Sequence, residues 1–281
     1  MISSETLAIS FGLGSAVAWG AGDFSGGYAS RKGNILGVVL VSQMLGGVLL
    51  TLMALALSET VPPVIHLLYG TLAGIFGSLG LIALYRGLAS GRMGIVAPLS
   101  AVLTALVPIV FSACFEGLPT STQVIGFLCF MVAVWLLSSG KAEFRMTLNE
   151  LYLSIAAGFG FGLFFIFIDQ ANNISIFWPL VGARFASVSM LLCLVAINKN
   201  PIRPAAGQWL FICITGILDA AGNALFSLAA HYGRLDVSAV LGSLYPAATV
   251  MLAWLFLKER LARRQWVGVA GAFIALLFIS M

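Results

Sequence analysis

The chain has 281 residues, of which 60% are hydrophobic and only 9% are charged, and its formal net charge is +4. Soluble domains carry about 25% charged residues, so this composition excludes an ordinary soluble globular protein. The small positive excess predicts lysines and arginines in loops that face the cytoplasm, and not a nucleic-acid-binding surface.

Apolar stretches of about 20 residues, each long enough to cross a bilayer as a helix, follow one another from end to end. Short polar segments separate them, and nothing remains for a soluble domain. The sequence therefore predicts an all-α polytopic membrane protein with ten transmembrane helices. The predicted spans are 5–28, 34–57, 64–88, 94–115, 121–139, 151–170, 175–197, 206–231, 236–257 and 264–281.

The chain contains an internal duplication. GLGSAVAWGAGD at 12–23 is matched by GFGFGLFFIFID at 158–169, with glycines and the aspartate in equivalent places. Farther along each half, QVIG at 123–126 recurs as QWVG at 265–268. The shared order of these matches predicts two five-helix repeats. The predicted units are the first repeat at 1–140, a linker (KAEFRMTLNE) at 141–150 and the second repeat at 151–281.

An odd number of spans in each repeat requires the second repeat to enter the membrane upside down. The loop charges agree, because Arg31 and Lys32 in the first loop of the first half have no basic counterpart in the second half. The second loop shows the reverse, with Lys199 and Arg203 only in the second half. The third loop is basic in both halves.

The positive-inside rule then places the odd-numbered loops in the cytoplasm and both termini outside it. We expect a multi-pass protein of the cell (inner or plasma) membrane. Inverted repeats of this kind are a transporter architecture, with a substrate site near the bilayer midplane where the halves meet.

The four cysteines lie singly within apolar runs, without the paired spacing of disulfides or metal sites. They are Cys114, Cys129, Cys193 and Cys213. We therefore expect small packing residues, no metal site and no cofactor.

Several segments resemble the drug/metabolite transporter superfamily, and specifically its EamA-type ten-helix transporters. They are AWG at 18–20, WPLVGARF at 178–185 and the closing hairpin YPAATVMLAWLFLKERLARRQWVGVAGAFIAL at 245–276. The first half departs from the pattern, since Leu103 stands where a proline is expected and no arginine follows Glu116.

The resemblance implies a transporter, more often an exporter than an importer, for amino acids, other small metabolites or drugs. Many relatives are described with cytoplasmic termini, which conflicts with the loop charges of this chain. We retain the orientation that the loops predict, because an inverted duplication is compatible with either one.

Two ionisable residues lie deep within predicted spans, Arg184 in span seven and Asp219 in span eight. Asn223 and Ser227 follow Asp219 at intervals of four, so these three share a helix face. One interpretation is a structural ion pair between Arg184 and Asp219. The other is a polar strip that faces a central cavity and binds a charged substrate group or a proton.

Three aromatic residues, Trp19, Tyr85 and Tyr245, are candidates for the walls of the same cavity, although packing alone also accounts for them. Asp23 and Asp169 occupy equivalent places near one end of their spans. They are interpreted either as carboxylates that reach interfacial water or as gate residues at the rim of the route.

Prolines inside spans four and nine predict kinks in their helices, because proline lacks the N–H that a helix needs. Pro98 and Pro246 are the candidate hinges, and Pro108 is a third interior proline.

We expect a secondary transporter of a small organic metabolite, such as an amino acid or related solute, that rocks its two halves around the cavity. Proton coupling through Asp219 is one possibility, and uncoupled movement or exchange are others. The sequence shows no GxxxxGK[ST] loop for ATP.

One alternative is multidrug or cation efflux. Another is a non-transporting sensor or assembly subunit, and this second alternative predicts a filled interior. With both histidines near span ends, we expect no enzymatic activity. The oligomeric state stays open.

Overall fold

The computed structural model describes residues 3–31, 33–89, 93–138, 147–198, 207–257 and 262–279. Within these ranges the chain forms α-helices and no strand. The helices are α1 (Ser4–Ser30), α2 (Ile35–Ala56), α3 (Val64–Ala89), α4 (Met93–Phe115), α5 (Ser121–Ser138), α6 (Leu148–Ala171), α7 (Phe177–Asn198), α8 (Trp209–Tyr232), α9 (Leu235–Gly242), α10 (Tyr245–Leu257) and α11 (Arg263–Ile279).

Five of these helices are long and apolar enough to cross a membrane by length and composition: α2, α3, α6, α7 and α8. Shorter apolar stretches at Leu99–Phe115 and Ser121–Leu136 belong to α4 and α5. Large apolar side chains such as Leu52 and Leu255 point outward and are more than half exposed, as expected of helices that face lipid. The predicted all-α polytopic membrane fold is confirmed.

The ninth predicted span is divided into α9 and α10 by a turn at Ser243 and Leu244. Pro246, the second residue of α10, has no N–H to donate to the carbonyl of Gly242, so the helix cannot continue through this point. By contrast, α4 runs without interruption through Pro98 and Pro108. Span nine is therefore interrupted at its proline and span four is continuous, and the hinge roles of Pro98 and Pro246 stay predictions.

The packing of the helices has an approximate two-fold symmetry that exchanges the halves. The two largest interfaces, α1 with α8 and α3 with α6, are equivalent under this exchange, while α2 packs on its own counterpart α7 and α5 on α11. At matching positions Gly12 packs against Leu241 of α9, and Gly158 packs against Leu103 of α4. With five spans in each half, this symmetry is that of an inverted repeat.

Glycines set the closest helix crossings. A Cβ atom on Gly74 of α3 would lie 2.0 Å from the carbonyl oxygen of Ala183 on α7, so the backbones meet where only glycine fits. This crossing brings the polar middle of α7 next to α3.

The second repeat begins with a well-formed helix cap. Thr147 accepts a hydrogen bond from the amide of Glu150, and the Glu150 carboxylate accepts one from the amide of Thr147. Residues 148–150 of the predicted linker therefore belong to α6, and its residues 141–146 lie outside the described ranges.

Candidate functional site

A cavity lies between the two halves of the bundle. Side chains of α1, α2, α3, α4, α6, α7, α8 and α10 line it, so both repeats contribute. About 640 Å³ of space there is free of protein atoms, including space continuous with solvent. The cavity volume that water-sized molecules can occupy is about 60 Å³.

Arg184 and Asp219 form an ion pair in the wall of this cavity. The Arg184 Nη1 atom lies 2.8 Å from the Asp219 Oδ2 atom, and the two side chains are only 9% and 17% exposed. Arg184 is the eighth residue of the 22-residue α7, and Asp219 is close to the middle of α8. The ion pair is therefore present, and because both residues also line the cavity, the structural and the substrate-binding interpretations both stay open.

Gln43 of α2 forms hydrogen bonds with both members of this ion pair. Its amide nitrogen donates to Asp219 Oδ2 at 3.0 Å, and its amide oxygen accepts a hydrogen bond from Arg184 Nη1. Asn223 Nδ2 donates to the other oxygen of Asp219 at 3.4 Å. Both carboxylate oxygens of Asp219 therefore have protein donors, which offsets the cost of placing the charge among apolar helices.

The guanidinium of Arg184 is less completely satisfied. Its Nη2 atom is buried and has no hydrogen-bond partner among the described residues. Two glycines of α2 allow the side chain to approach, since a Cβ on Gly47 would lie 3.2 Å from Arg184 Cβ and one on Gly46 would lie 3.6 Å from Arg184 Nε. Close packing against α2 thus keeps the guanidinium in one position.

Aromatic rings form a second wall. Trp19 of α1 stacks on Phe165 of α6 with ring centroids 5.5 Å apart, and Phe165 in turn stacks on Phe226 of α8 at 4.0 Å. Phe161 and Phe164 line the cavity beside them. Because Trp19, Phe165 and Phe226 pack on one another, the three rings form a rigid apolar wall.

Hydroxyl groups complete the lining. Tyr245, at the start of α10, shares a 2.8 Å hydrogen bond with Ser100 of α4, and Thr104 donates to the Ser100 carbonyl. On the opposite side Ser78 of α3 and Ser187 of α7 both donate to the Gly74 carbonyl. These hydroxyls are used by the protein itself.

The position of Asp23 corrects one expectation. We expected it at an end of the route, near a membrane face, but it lines the cavity together with Trp19, one helical turn before it. The reason is that α1 extends from Ser4 to Ser30, so a residue near its end by sequence still faces the space between the halves. No described residue donates a hydrogen bond to the Asp23 carboxylate or forms an ion pair with it.

Three other predicted site residues lie outside the lining. Tyr85 is 1% exposed, and its hydroxyl packs at Gly26 of α1. Ser227 is fully buried, and its carbonyl accepts a hydrogen bond from Asn172. Asp169, the counterpart of Asp23, lies near the end of α6 and accepts a hydrogen bond from Gln170. The predicted cavity roles of Tyr85 and Ser227 therefore do not fit their positions, whereas the gate role of Asp169 stays a prediction.

Sequence reasoning missed Gln43 and the phenylalanines of α6. A lone amide in the apolar run of α2 was a usable signal, since polar residues at membrane depth generally face a cavity or a polar partner. The phenylalanines had no such signal, because GFGFGLFFIFID is aromatic on every face of the helix.

The same fold and family are found among known proteins. The model of the EamA-like transporter family matches residues 6–139 and again residues 148–281. A solved crystal structure of another protein aligns with 96% of this chain and with 95% of that protein's chain, at a TM-score of 0.79. The two sequences are 16% identical, so this likeness shows the fold alone.

Two relatives match part of the chain. MJ1333.1, an uncharacterized protein of Methanocaldococcus jannaschii, is 31% identical over 131 residues, which are 46% of this chain and 93% of that protein. That relative therefore has about the length of one repeat. YyaM, an uncharacterized transporter of Bacillus subtilis, is 31% identical over 97 residues, which are 34% of this chain and 31% of YyaM.

Proposed function

The chain belongs to the EamA-like transporter family, and from this premise we propose that it is a secondary transporter that exports a small organic solute. The observation that supports the proposal is the cavity between the inverted halves, with charged side chains at mid-helix depth. A sensor or assembly subunit would have a filled interior instead. No enzymatic activity is assigned to the chain.

Transport would proceed by alternating access, in which the halves rock around the cavity and open it to each side in turn. The interruption between α9 and α10 beside Tyr245 offers one place where the wall of the cavity can bend. Amino acids and related solutes are the first substrate class to test, because the family resemblance implies them. The charge excess in the odd-numbered loops favours termini outside the cytoplasm.

Multidrug or cation efflux is the second candidate. The aromatic wall of Trp19 and Phe165, together with the unpartnered carboxylate of Asp23, favours it. Such a wall accommodates apolar bodies of varied shape.

The proposal is tested with the purified chain. A thermal-stabilisation screen of amino acids, nucleosides and cationic drugs identifies a ligand, and counterflow of that ligand in liposomes then measures transport. The Leu81→Trp variant fills the cavity, because Leu81 lines it on α3. Its control is Leu79→Trp on the same helix, where Leu79 is 46% exposed on the outer surface.

We expect Leu81→Trp to abolish both stabilisation and counterflow and Leu79→Trp to retain both. Counterflow that survives Leu81→Trp, or a screen in which no compound stabilises the protein, would contradict the proposal.

A further inference from the structure

The cavity has an uneven balance of charge. Among the residues that the structure describes, the acidic and basic side chains of the lining are Asp23, Arg184 and Asp219. When both acids are deprotonated, two carboxylates and one guanidinium leave a net charge of −1. Because charges interact strongly at low dielectric, this excess favours a cationic occupant.

The excess charge belongs to Asp23. Asp219 is held by Arg184, Gln43 and Asn223, so its charge is compensated by the protein. Asp23 faces the same cavity without any such partner among the described residues. Its carboxylate is therefore the group available to accept hydrogen bonds from a ligand ammonium.

The aromatic wall lies beside this carboxylate. Trp19 precedes Asp23 by four residues, so both project from one face of α1. Trp19, stacked on Phe165, gives an apolar wall against which the body of an organic cation can pack.

Donors for a ligand carboxylate are scarce in the same lining. The hydroxyls of Ser78, Ser187 and Thr104 donate to backbone carbonyls. Gln43 and Asn223 donate to Asp219. The unpartnered Arg184 Nη2 atom has almost no exposed surface. Apart from the indole N–H of Trp19, an anion or a zwitterion would bring its carboxylate among occupied donors and close to Asp23.

We propose that the cavity binds organic ammonium monocations with an aromatic or apolar body, and that Asp23 determines this preference over zwitterions and anions. The inference rests on the proposed transport function and narrows its substrate class. Within the amino acids and related solutes considered above, it selects the amines that lack a carboxylate.

The test uses three compounds with the same aromatic body: phenethylamine (a cation), phenylalanine (a zwitterion) and 3-phenylpropionate (an anion). Their affinities for the purified full-length chain are measured by calorimetric titration. We expect phenethylamine to bind at least about tenfold more tightly than the other two, which corresponds to roughly 1.4 kcal/mol.

The Asp23→Asn variant should remove this preference, since the amide keeps the shape of the side chain without its charge. Glu5→Gln is the matched control, because Glu5 is an exposed carboxylate in the first turn of the same helix. It should bind all three compounds as the unmodified chain does. A retained thermal transition in both variants verifies that they are folded.

The outcomes separate this inference from the transport proposal. Tighter binding of phenylalanine or 3-phenylpropionate, an unchanged preference in Asp23→Asn, or no binding of phenethylamine overturns the inference. Counterflow of a zwitterion without dependence on Asp23 would leave the transport proposal in place. Asp23-dependent binding of phenethylamine without counterflow of any solute would support the inference and contradict transport.

Discussion

The carboxylate of Glu59, in the loop between α2 and α3, accepts a hydrogen bond from the backbone amide of Phe177 at 2.9 Å, so a residue of the first half caps helix α7 of the second. The same carboxylate accepts hydrogen bonds from Ser175 Oγ at 2.7 Å and from the Ile176 amide at 2.8 Å. A negative charge at a helix N-terminus also interacts favourably with the helix dipole.

Replacement of Glu59 should destabilise the contact between the halves. We expect Glu59→Ala to lower the free energy of unfolding by about 1.5–3 kcal/mol, because several amides lose a charged acceptor. Thermal unfolding in detergent measures the change. The control is Glu116→Ala, at an exposed loop carboxylate on the same membrane face, which should change stability by less than about 0.5 kcal/mol. Equal losses in the two variants would contradict the role of Glu59.

The crossing of α3 and α7 should not tolerate a methyl group at Gly74. A Cβ there would lie 2.0 Å from a backbone oxygen of Ala183, and neither backbone can move without disturbing the cavity wall. We expect Gly74→Ala to lower the unfolding free energy by about 1–3 kcal/mol. Gly182→Ala, on α7, is the matched control, since its nearest neighbour would be 3.5 Å away. Similar melting temperatures for the two variants would refute this account.

The Arg184–Asp219 pair should be stabilising only as a pair. Asp219→Asn leaves the Arg184 guanidinium buried without its counter-ion, which costs about 3–5 kcal/mol. The double variant Arg184→Met with Asp219→Leu buries neither charge and should be more stable than Asp219→Asn alone. Unfolding measurements on the single and double variants give the comparison. A double variant less stable than the single one would show that the apolar pair cannot replace the ionic one.

The pairing of Arg184 with Asp219 could be predicted from sequence because two opposite charges at mid-span depth have few other ways to avoid lipid. The inverted two-repeat fold could also be predicted, because the sequence is duplicated and an odd number of spans per repeat requires the second repeat to be inverted. Both features follow from positions along the chain alone.

The side of each helix that faces the cavity could not be predicted from position along the chain. Depth placed Asp23 near a membrane face, but the rotation of α1 against α8 and α10 turns it into the cavity. Tyr85 was indistinguishable from Tyr245 by sequence, and only the close approach of Gly26 assigns the former to packing. Gln43 joins the ion pair because α2 packs on α7, a contact between halves that no local pattern encodes.

The hinge role predicted for Pro246 can be tested by restoring a backbone donor. In Pro246→Ala the new N–H can reach the Gly242 carbonyl, so α9 and α10 can join into one stiffer helix. We expect counterflow to slow about tenfold, a barrier increase of roughly 1.4 kcal/mol, with unchanged ligand affinity. Pro108→Ala is the control, because α4 is already continuous there. A slowed rate in the control, or none in Pro246→Ala, would remove the hinge assignment.

Cation binding at Asp23 should compete with protons, because protonation removes the charge that attracts the ligand. The charged and titratable groups around Asp23 are Asp219 on α8, Arg184 on α7, Tyr85 on α3 and Tyr245 on α10. Phenethylamine keeps its charge over the pH range of the experiment, so a change in affinity reports on the protein.

We therefore expect the affinity for phenethylamine to fall as the pH is lowered, approaching a tenfold loss per pH unit once most of Asp23 is protonated. The Asp23→Asn variant should bind weakly and without this pH dependence, whereas Glu5→Gln should retain the full profile. If the loss persisted in Asp23→Asn, the proton would be taken up elsewhere, and Asp219, one of the possibilities named above, would be the next residue to test. If it disappears, one carboxylate binds the proton and the cation in turn, which is the condition that an exchange of one for the other would require.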